Sequence, residues 1–197
     1  MNGSKTTILY RVNSDIKMSI CLEERLEKIG VPADKNPLTV CFVCTGNTCR
    51  SPMAEAVLNQ MGHVPDFCTA CPPELLDRRR IIACSAGIAA LEGMPISQNA
   101  VKALENNGVR ATPNNNYPAH TAHQISESDF LTCDLVVGIS ASHTMALMTA
   151  FPQYASKIAC LAENIPDPFG GTLEDYEACL EKIRRAVGLM FFGDENA

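Results

Sequence analysis

An α/β domain built on a parallel sheet is the fold class that the sequence predicts. Two observations point there. Short apolar runs alternate with longer segments whose apolar residues recur every three or four positions. The first of these runs, LTVCFV over residues 38–43, has no polar alternation, as expected of a strand buried on both faces.

The elements follow in order. Met18, Leu22, Leu26 and Ile29 form one stripe, predicting a helix over residues 15–29 that Gly30 and Pro32 stop. Residues 34–37, DKNP, read as a linker. After the 38–43 strand, Ser51-Pro52 reads as a cap followed by proline at the first helical position. Met53, Ala54, Val57, Leu58 and Met61 supply that helix's buried stripe, Glu55 sits in its first turn, and Gly62 ends it. Residues 63–80 hold three prolines and three consecutive arginines. They read as a surface loop or partly helical insertion, with Arg78, Arg79 and Arg80 on a solvated face. A strand is predicted over residues 81–86 and a helix over 97–107, capped by Ser97 and closed by Gly108. A turn-rich loop covers residues 114–118. A third strand spans 134–139, a helix 142–150 ended by Pro152, and a fourth strand 157–161. Leu173, Tyr176, Leu180, Ile183 and Val187 mark a long final helix.

Composition narrows the function classes. The 197 residues are 46% hydrophobic and 19% charged, which fits one globular domain with a short appendage and no need of staples. The net charge of −6 argues against a bulk nucleic-acid binder or an anionic-membrane binder. The apolar cluster at residues 8–10 is too short for a signal peptide, and no run approaches a transmembrane length. A cytoplasmic protein with reduced thiols is the expectation. Its ten cysteines then read as buried small hydrophobes and a few reactive thiols.

The segment that carries chemistry is VCFVCTGNTCRSPMAEA, residues 40–56. A strand runs into the loop, and a helix begins at once. The loop holds Cys44 and, after five intervening residues, Arg50. That spacing is weak alone: this composition yields about half an occurrence by chance. Cys179 and Arg185 repeat it inside a helical pattern that has no glycine between them, and are a decoy. Context separates the two. A loop between a parallel strand and a helix N-terminus directs backbone N–H groups into one concavity. Gly46 allows a tight turn, Asn47 tolerates a left-handed conformation, and Arg50 offers a planar fork to two oxygens of an oxyanion. Cys44 lies at the base of this nest, placed as a nucleophile.

CTGNTCRSPMAEA resembles the phosphate-binding loop of the low-molecular-weight protein tyrosine phosphatases. Three further segments extend the resemblance over residues 38–192: CSAG at 84–87, AHTAHQIS at 119–126 and DPFGG at 167–171. The resemblance implies a three-layer fold with a four-stranded parallel sheet in the order 2-1-3-4 and helices on both faces. Residues 1–37 are then an N-terminal extension and 193–197 a C-terminal tail. It implies that Cys44 attacks phosphorus, that Arg50 and the amides of Thr45, Gly46, Asn47, Thr48 and Cys49 hold the phosphoryl oxygens, and that Asp167 is the proton donor. Ser51 donates to the thiolate. Asn47, Ser85 and His120 fix the loop, and Cys49 is a redox neighbour of Cys44. No metal or cofactor is implied, and the expected partner is a phosphorylated protein. His63, His123 and His143 lie outside the resemblance and read as surface residues.

Thr48 and Phe169-Gly170 depart from the tyrosine-specific pattern, in which a larger aliphatic residue and two tyrosines are usual. Both resemble the bacterial protein arginine phosphatase branch, and Thr48 and Phe169 become the candidate substrate pocket. The alternatives are a phosphotyrosine phosphatase of the same family, a thiol-dependent arsenate reductase and an inactive phosphoprotein-binding module. The reductase would need relay cysteines after the third strand, where residues 138–148 have none. The pair Cys68 and Cys71 reads as two ordinary cysteines in the insertion, with a metal or disulfide clip as the alternative.

Overall fold

The computed structural model describes residues 26–32, 35–62, 80–161 and 165–192. Four strands, β1 (Leu38–Cys44), β2 (Ile81–Gly87), β3 (Leu135–Gly138) and β4 (Ile158–Cys160), form one parallel sheet in the order β2-β1-β3-β4. The helices are α1 (Arg50–Met61), α2 (Gln98–Asn106), α3 (Glu127–Thr132), α4 (Ala141–Ala150) and α5 (Leu173–Phe192).

The uninterrupted apolar run of β1 has the predicted cause. Leu38, Val40 and Phe42 send their side chains into a core shared with α1, α2 and α5. Cys41 and Val43 send theirs into a second core, with Phe130 of α3 and Leu147 of α4. Successive strand residues point to opposite faces, so three layers follow directly from this strand. Its register is pinned at the start by Asp134, which accepts from the backbone N–H of Thr39 (2.9 Å), from Thr39 Oγ1 (2.7 Å) and from Lys35.

Leu26 is buried in the first core, with Ile29 and Val31 packed against it. Residues 26–28 are helical, and Gly30 takes a φ of 75°, the left-handed conformation of a glycine that ends a helix. The rest of the predicted 15–29 helix lies outside the described residues. So do most of the 63–80 insertion, with His63, Cys68, Cys71, Arg78 and Arg79, and the 193–197 tail.

Three local expectations are corrected. Helix α1 begins at Arg50, so Pro52 is its third residue, and Ser51 caps nothing because its hydroxyl is engaged elsewhere. Ser97 stands at the N-cap position of α2 but makes no capping bond; its hydroxyl donates to Tyr176 Oη at 3.0 Å. The sequence reading passed over α3. Six residues are too few to display a helical period, yet Ser126 and Asp129 close a reciprocal capping box around its first turn.

Candidate active site

Cys44 ends β1 and Arg50 opens α1, leaving five residues to make the connection. The surroundings shape this loop through its carbonyls. Cys44 and Thr45 accept from the N–H groups of Ile88 and Ala89, both at 2.9 Å, and Thr48 accepts from Ser97 N–H at 2.8 Å. The carbonyl of Asn47 lies 3.0 Å from His120 Nε2. A planar trans peptide points its N–H opposite to its C=O. Carbonyls held outward therefore turn the N–H groups of residues 45, 46, 48 and 49 into the cup, as an anion nest requires.

Asn47 holds the turn in place. It is fully buried, with φ at 56°, a conformation asparagine tolerates better than most residues. Its Nδ2 donates to Ser51 Oγ (3.0 Å) and Ser85 Oγ (2.9 Å), and its Oδ1 accepts from His123 N–H at 2.8 Å. Gly46 does not have a positive φ, and a Cβ there would meet only Thr48 Oγ1 at 3.8 Å. The crowded glycine is Gly87, where a Cβ would come within 2.6 Å of the Thr45 carbonyl. The close approach of β2 to the loop depends on it.

Ser51 Oγ lies 3.0 Å from Cys44 Sγ and 3.2 Å from the carbonyl of Ala86. One hydroxyl proton thus has two acceptors. Either the thiol donates to Ser51 while the hydroxyl donates to Ala86, or the hydroxyl donates to the sulfur. Beyond Ser51 the network continues from Asn47 through Ser85, whose hydroxyl donates to Glu55 Oε2 at 2.6 Å. Glu55, read from sequence only as a residue of the first turn, is thereby part of this network. Burial pushes its carboxyl up to about 7, partly opposed by the Ser85 bond. Burial also lowers His120, against the bond to the Asn47 carbonyl. At the 3.7 Å contact between His120 and Glu55 both shifts favour the uncharged form of each group.

Arg50 is 7% exposed. Its Nη2 meets Asp167 Oδ2 at 2.5 Å, while its Nε is the one buried side-chain polar atom among the described residues with no hydrogen-bond partner. Asp167 is half exposed, and its Oδ1 accepts from Phe169 N–H at 3.2 Å. Phe169 itself is 77% exposed. Cys49 is buried, 3.3 Å from Tyr176 Oη and 3.6 Å from Thr48 Oγ1. Burial pushes its thiol up, and the two hydroxyls oppose this.

The predicted residues thus gather into one constellation at the carboxyl end of β1, where parallel sheets place their ligands. Three contributors were missed. Glu55 lies four residues after Ser51 and so on the same helix face, which was the available signal. Tyr176 was read only as part of an apolar stripe. His143, expected on the surface, is 3% exposed, with Nε2 at 3.0 Å from Thr45 Oγ1 and Nδ1 at 2.7 Å from Ser140 Oγ. Burial and the nearby Arg50 lower its pKa. His123 is partly exposed and pairs with Asp129 at 3.2 Å. Among the described residues no cluster of His, Cys, Asp and Glu is arranged to hold a metal, and no helix is long and apolar enough to cross a membrane.

A buried thiol under a ring of amides, with an arginine at the rim and a serine hydroxyl beside the sulfur, has the form of a cysteine-centred oxyanion site on a parallel α/β sheet. The profile of the low molecular weight phosphotyrosine protein phosphatase family matches residues 39–193, and the chain belongs to that family. It is a phosphatase, a hydrolase of the tyrosine/arginine type. It is similar to the protein-arginine-phosphatase of Geobacillus stearothermophilus, at 29% identity over 77% of this chain and 92% of the relative. It is also similar to the low molecular weight protein-tyrosine-phosphatase of Streptomyces coelicolor, at 33% identity over 77% and 90%. Among solved structures it resembles the YwlE arginine phosphatase from Geobacillus stearothermophilus, with a TM-score of 0.62, 29% identity, and coverage of 77% of this chain and 88% of the other.

Proposed function

We propose that the chain hydrolyses phosphoarginine in proteins through a phosphocysteine formed on Cys44. The supporting observation is the state of Arg50. It is buried at the rim of the loop, its Nη2 is on Asp167, and its Nε has no hydrogen-bond partner among the described residues. A phosphoryl group in the cup takes that Nε–H and a second N–H from the same planar fork. It thereby competes with Asp167 for the guanidinium, which frees the carboxyl for the leaving group.

The steps then balance. Cys44 Sγ attacks phosphorus, the S–P bond forms and the P–N bond to the arginine breaks. Asp167 supplies the proton that the leaving nitrogen takes. Arg50 and the loop amides hold the three equatorial oxygens through the transition state. Ser51 turns its proton to the sulfur, which stabilises it as nucleophile and again as leaving group. Asp167, now ionised, takes a proton from water as that water attacks phosphorus. The S–P bond breaks, and phosphate and the Cys44 thiolate are restored. Asn47, Ser85 and His120 position the loop without touching the substrate. Under oxidation Cys49 is the partner for a disulfide with Cys44. The reaction uses no metal and no cofactor, and the partner is a phosphorylated protein, with no role for nucleic acid or membrane.

The choice of phosphoarginine over phosphotyrosine rests on the pocket. A phosphotyrosine ring is best held between two aromatic walls. Here one aromatic, Phe169, follows the Asp167-Pro168 pair, and the next residue is Gly170 with φ at 77°. A planar guanidinium group needs one ring to stack on and one carboxyl group to hydrogen-bond its nitrogens, and Phe169 and Asp167 supply these. Thr48 leaves room beside them. Initial rates on matched phosphoarginine and phosphotyrosine peptides test the assignment. The expected kcat/KM ratio favours phosphoarginine by about 10-fold or more, and Thr48→Ile lowers it by about 10-fold (about 1.4 kcal/mol). Faster turnover of phosphotyrosine would make the chain a tyrosine phosphatase of the same mechanism.

A further inference from the structure

On the sheet face opposite α1, three thiols meet. Cys41 of β1 and Cys84 of β2 are register partners in neighbouring parallel strands, so their side chains lie on one face. Cys133, the residue that ends α3, reaches the same place, and its sulfur is 3.6 Å from that of Cys84. The Cys41 thiol lies beside Cys84 on that face. The three differ in access. Cys41 is fully buried, Cys133 is 5% exposed, and Cys84 stands exposed on the edge strand. Most of the ten cysteines read from sequence as buried small hydrophobes, and the exposed Cys84 does not fit that description.

We propose that Cys84 and Cys133 form a second thiol–disulfide site, oxidised reversibly by hydrogen peroxide and independent of Cys44. The sulfurs must move about 1.5 Å closer to reach disulfide length, a distance that side-chain rotation can supply at an exposed strand edge. Cys84 is the sulfur that peroxide reaches. Its neighbour Cys133 pushes the Cys84 thiol up to about 12, so the Cys84 proton passes to the Cys133 sulfur as Cys84 attacks one oxygen; the O–O bond breaks, hydroxide leaves as water after taking a proton, and a sulfenic acid forms on Cys84. Cys133 then attacks that sulfur, the S–S bond forms, the S–O bond breaks, and a second water leaves with the Cys133 proton. Two electrons pass from the sulfurs to the peroxide.

Cys133 is suited to the second step because hydrogen bonds from Cys41 and Cys84 make it the easiest of the three to ionise. Cys133 and Cys84, and after them burial, raise Cys41, which keeps it a thiol. A thiol reductant reverses the bond by attack on the exposed Cys84 sulfur.

Tryptic cleavage separates the candidates, because residues 81–102 contain only Cys84, residues 111–157 contain only Cys133, and residues 36–50 contain Cys41, Cys44 and Cys49. The full-length protein and its Cys44→Ser variant are treated with peroxide, alkylated, digested without reductant and read by mass spectrometry. The expected product in both is a reducible link between 81–102 and 111–157 that disappears in Cys84→Ser. That variant changes an exposed position and leaves the fold intact. A link from 81–102 to 36–50 would overturn the proposal. So would sulfinic or sulfonic acid on Cys84 without a link, or an unmodified Cys84.

Discussion

Cys44 and Arg50 are the residues on which the proposed chemistry turns, and their replacements have distinct expected effects. Cys44→Ser keeps a hydroxyl near Ser51 but lacks a competent nucleophile; phosphatase turnover is expected to fall by about 10³-fold or more. Arg50→Lys keeps the charge but loses the fork, including the Arg50 Nε–H that has no partner among the described residues. Here kcat and kcat/KM should fall together by about 10²–10³-fold, as for an interaction realised in the transition state.

Glu55 makes a different prediction. Its carboxyl is raised from 4.5 to about 7 by burial, so the folded protein prefers it protonated. That contribution is fully present below pH 4.5 and is lost as pH rises to about 7. Glu55→Gln keeps an acceptor for Ser85 and cannot ionise. Between pH 5 and pH 8, denaturant titrations should show the variant gaining about 2 kcal/mol on the parent protein, allowing for Glu55's partial exposure. The difference isolates Glu55 from His120, whose lowered pKa acts in the opposite sense. The sequence named Cys44, Arg50, Asn47, Ser51, Ser85 and His120 because each stands in a segment resembling a known family. For Glu55 the only signal was its spacing from Ser51, and His143 had none, because what sets their behaviour is burial, which comes from packing between elements.

The loop between β1 and α1 works as a unit because Asn47 ties it to Ser51, Ser85 and His123. Asn47→Ala removes three hydrogen bonds and leaves a left-handed residue without asparagine's tolerance for it. A loss of about 2–4 kcal/mol in unfolding free energy is expected, together with a fall in kcat. The strands and long helices were readable because their periods extend over enough residues to be seen. The start of α1 was not. Ser51-Pro52 has the form of a cap and a first-turn proline, but Cys44 and the β2 carbonyl of Ala86 compete for the serine hydroxyl. A tertiary partner overrode a local preference.

Across the whole molecule, the two cores on either side of the sheet fix where β1 ends, and so where Cys44 sits. Leu26 belongs to the first core at 1% exposure, which couples the segment before the phosphatase homology to the stability of the sheet. Leu26→Ala should cost about 2–4 kcal/mol, read as a lower denaturant midpoint with the slope unchanged.

The central claim is a covalent phosphocysteine, and rapid acid quench during turnover of a phosphopeptide tests it most directly. Mass spectrometry of the 36–50 peptide should find one phosphoryl group on Cys44, accumulating further in Asp167→Asn, where water is no longer activated. Turnover with no phosphorylated enzyme at any time, in the parent protein or in that variant, would contradict it.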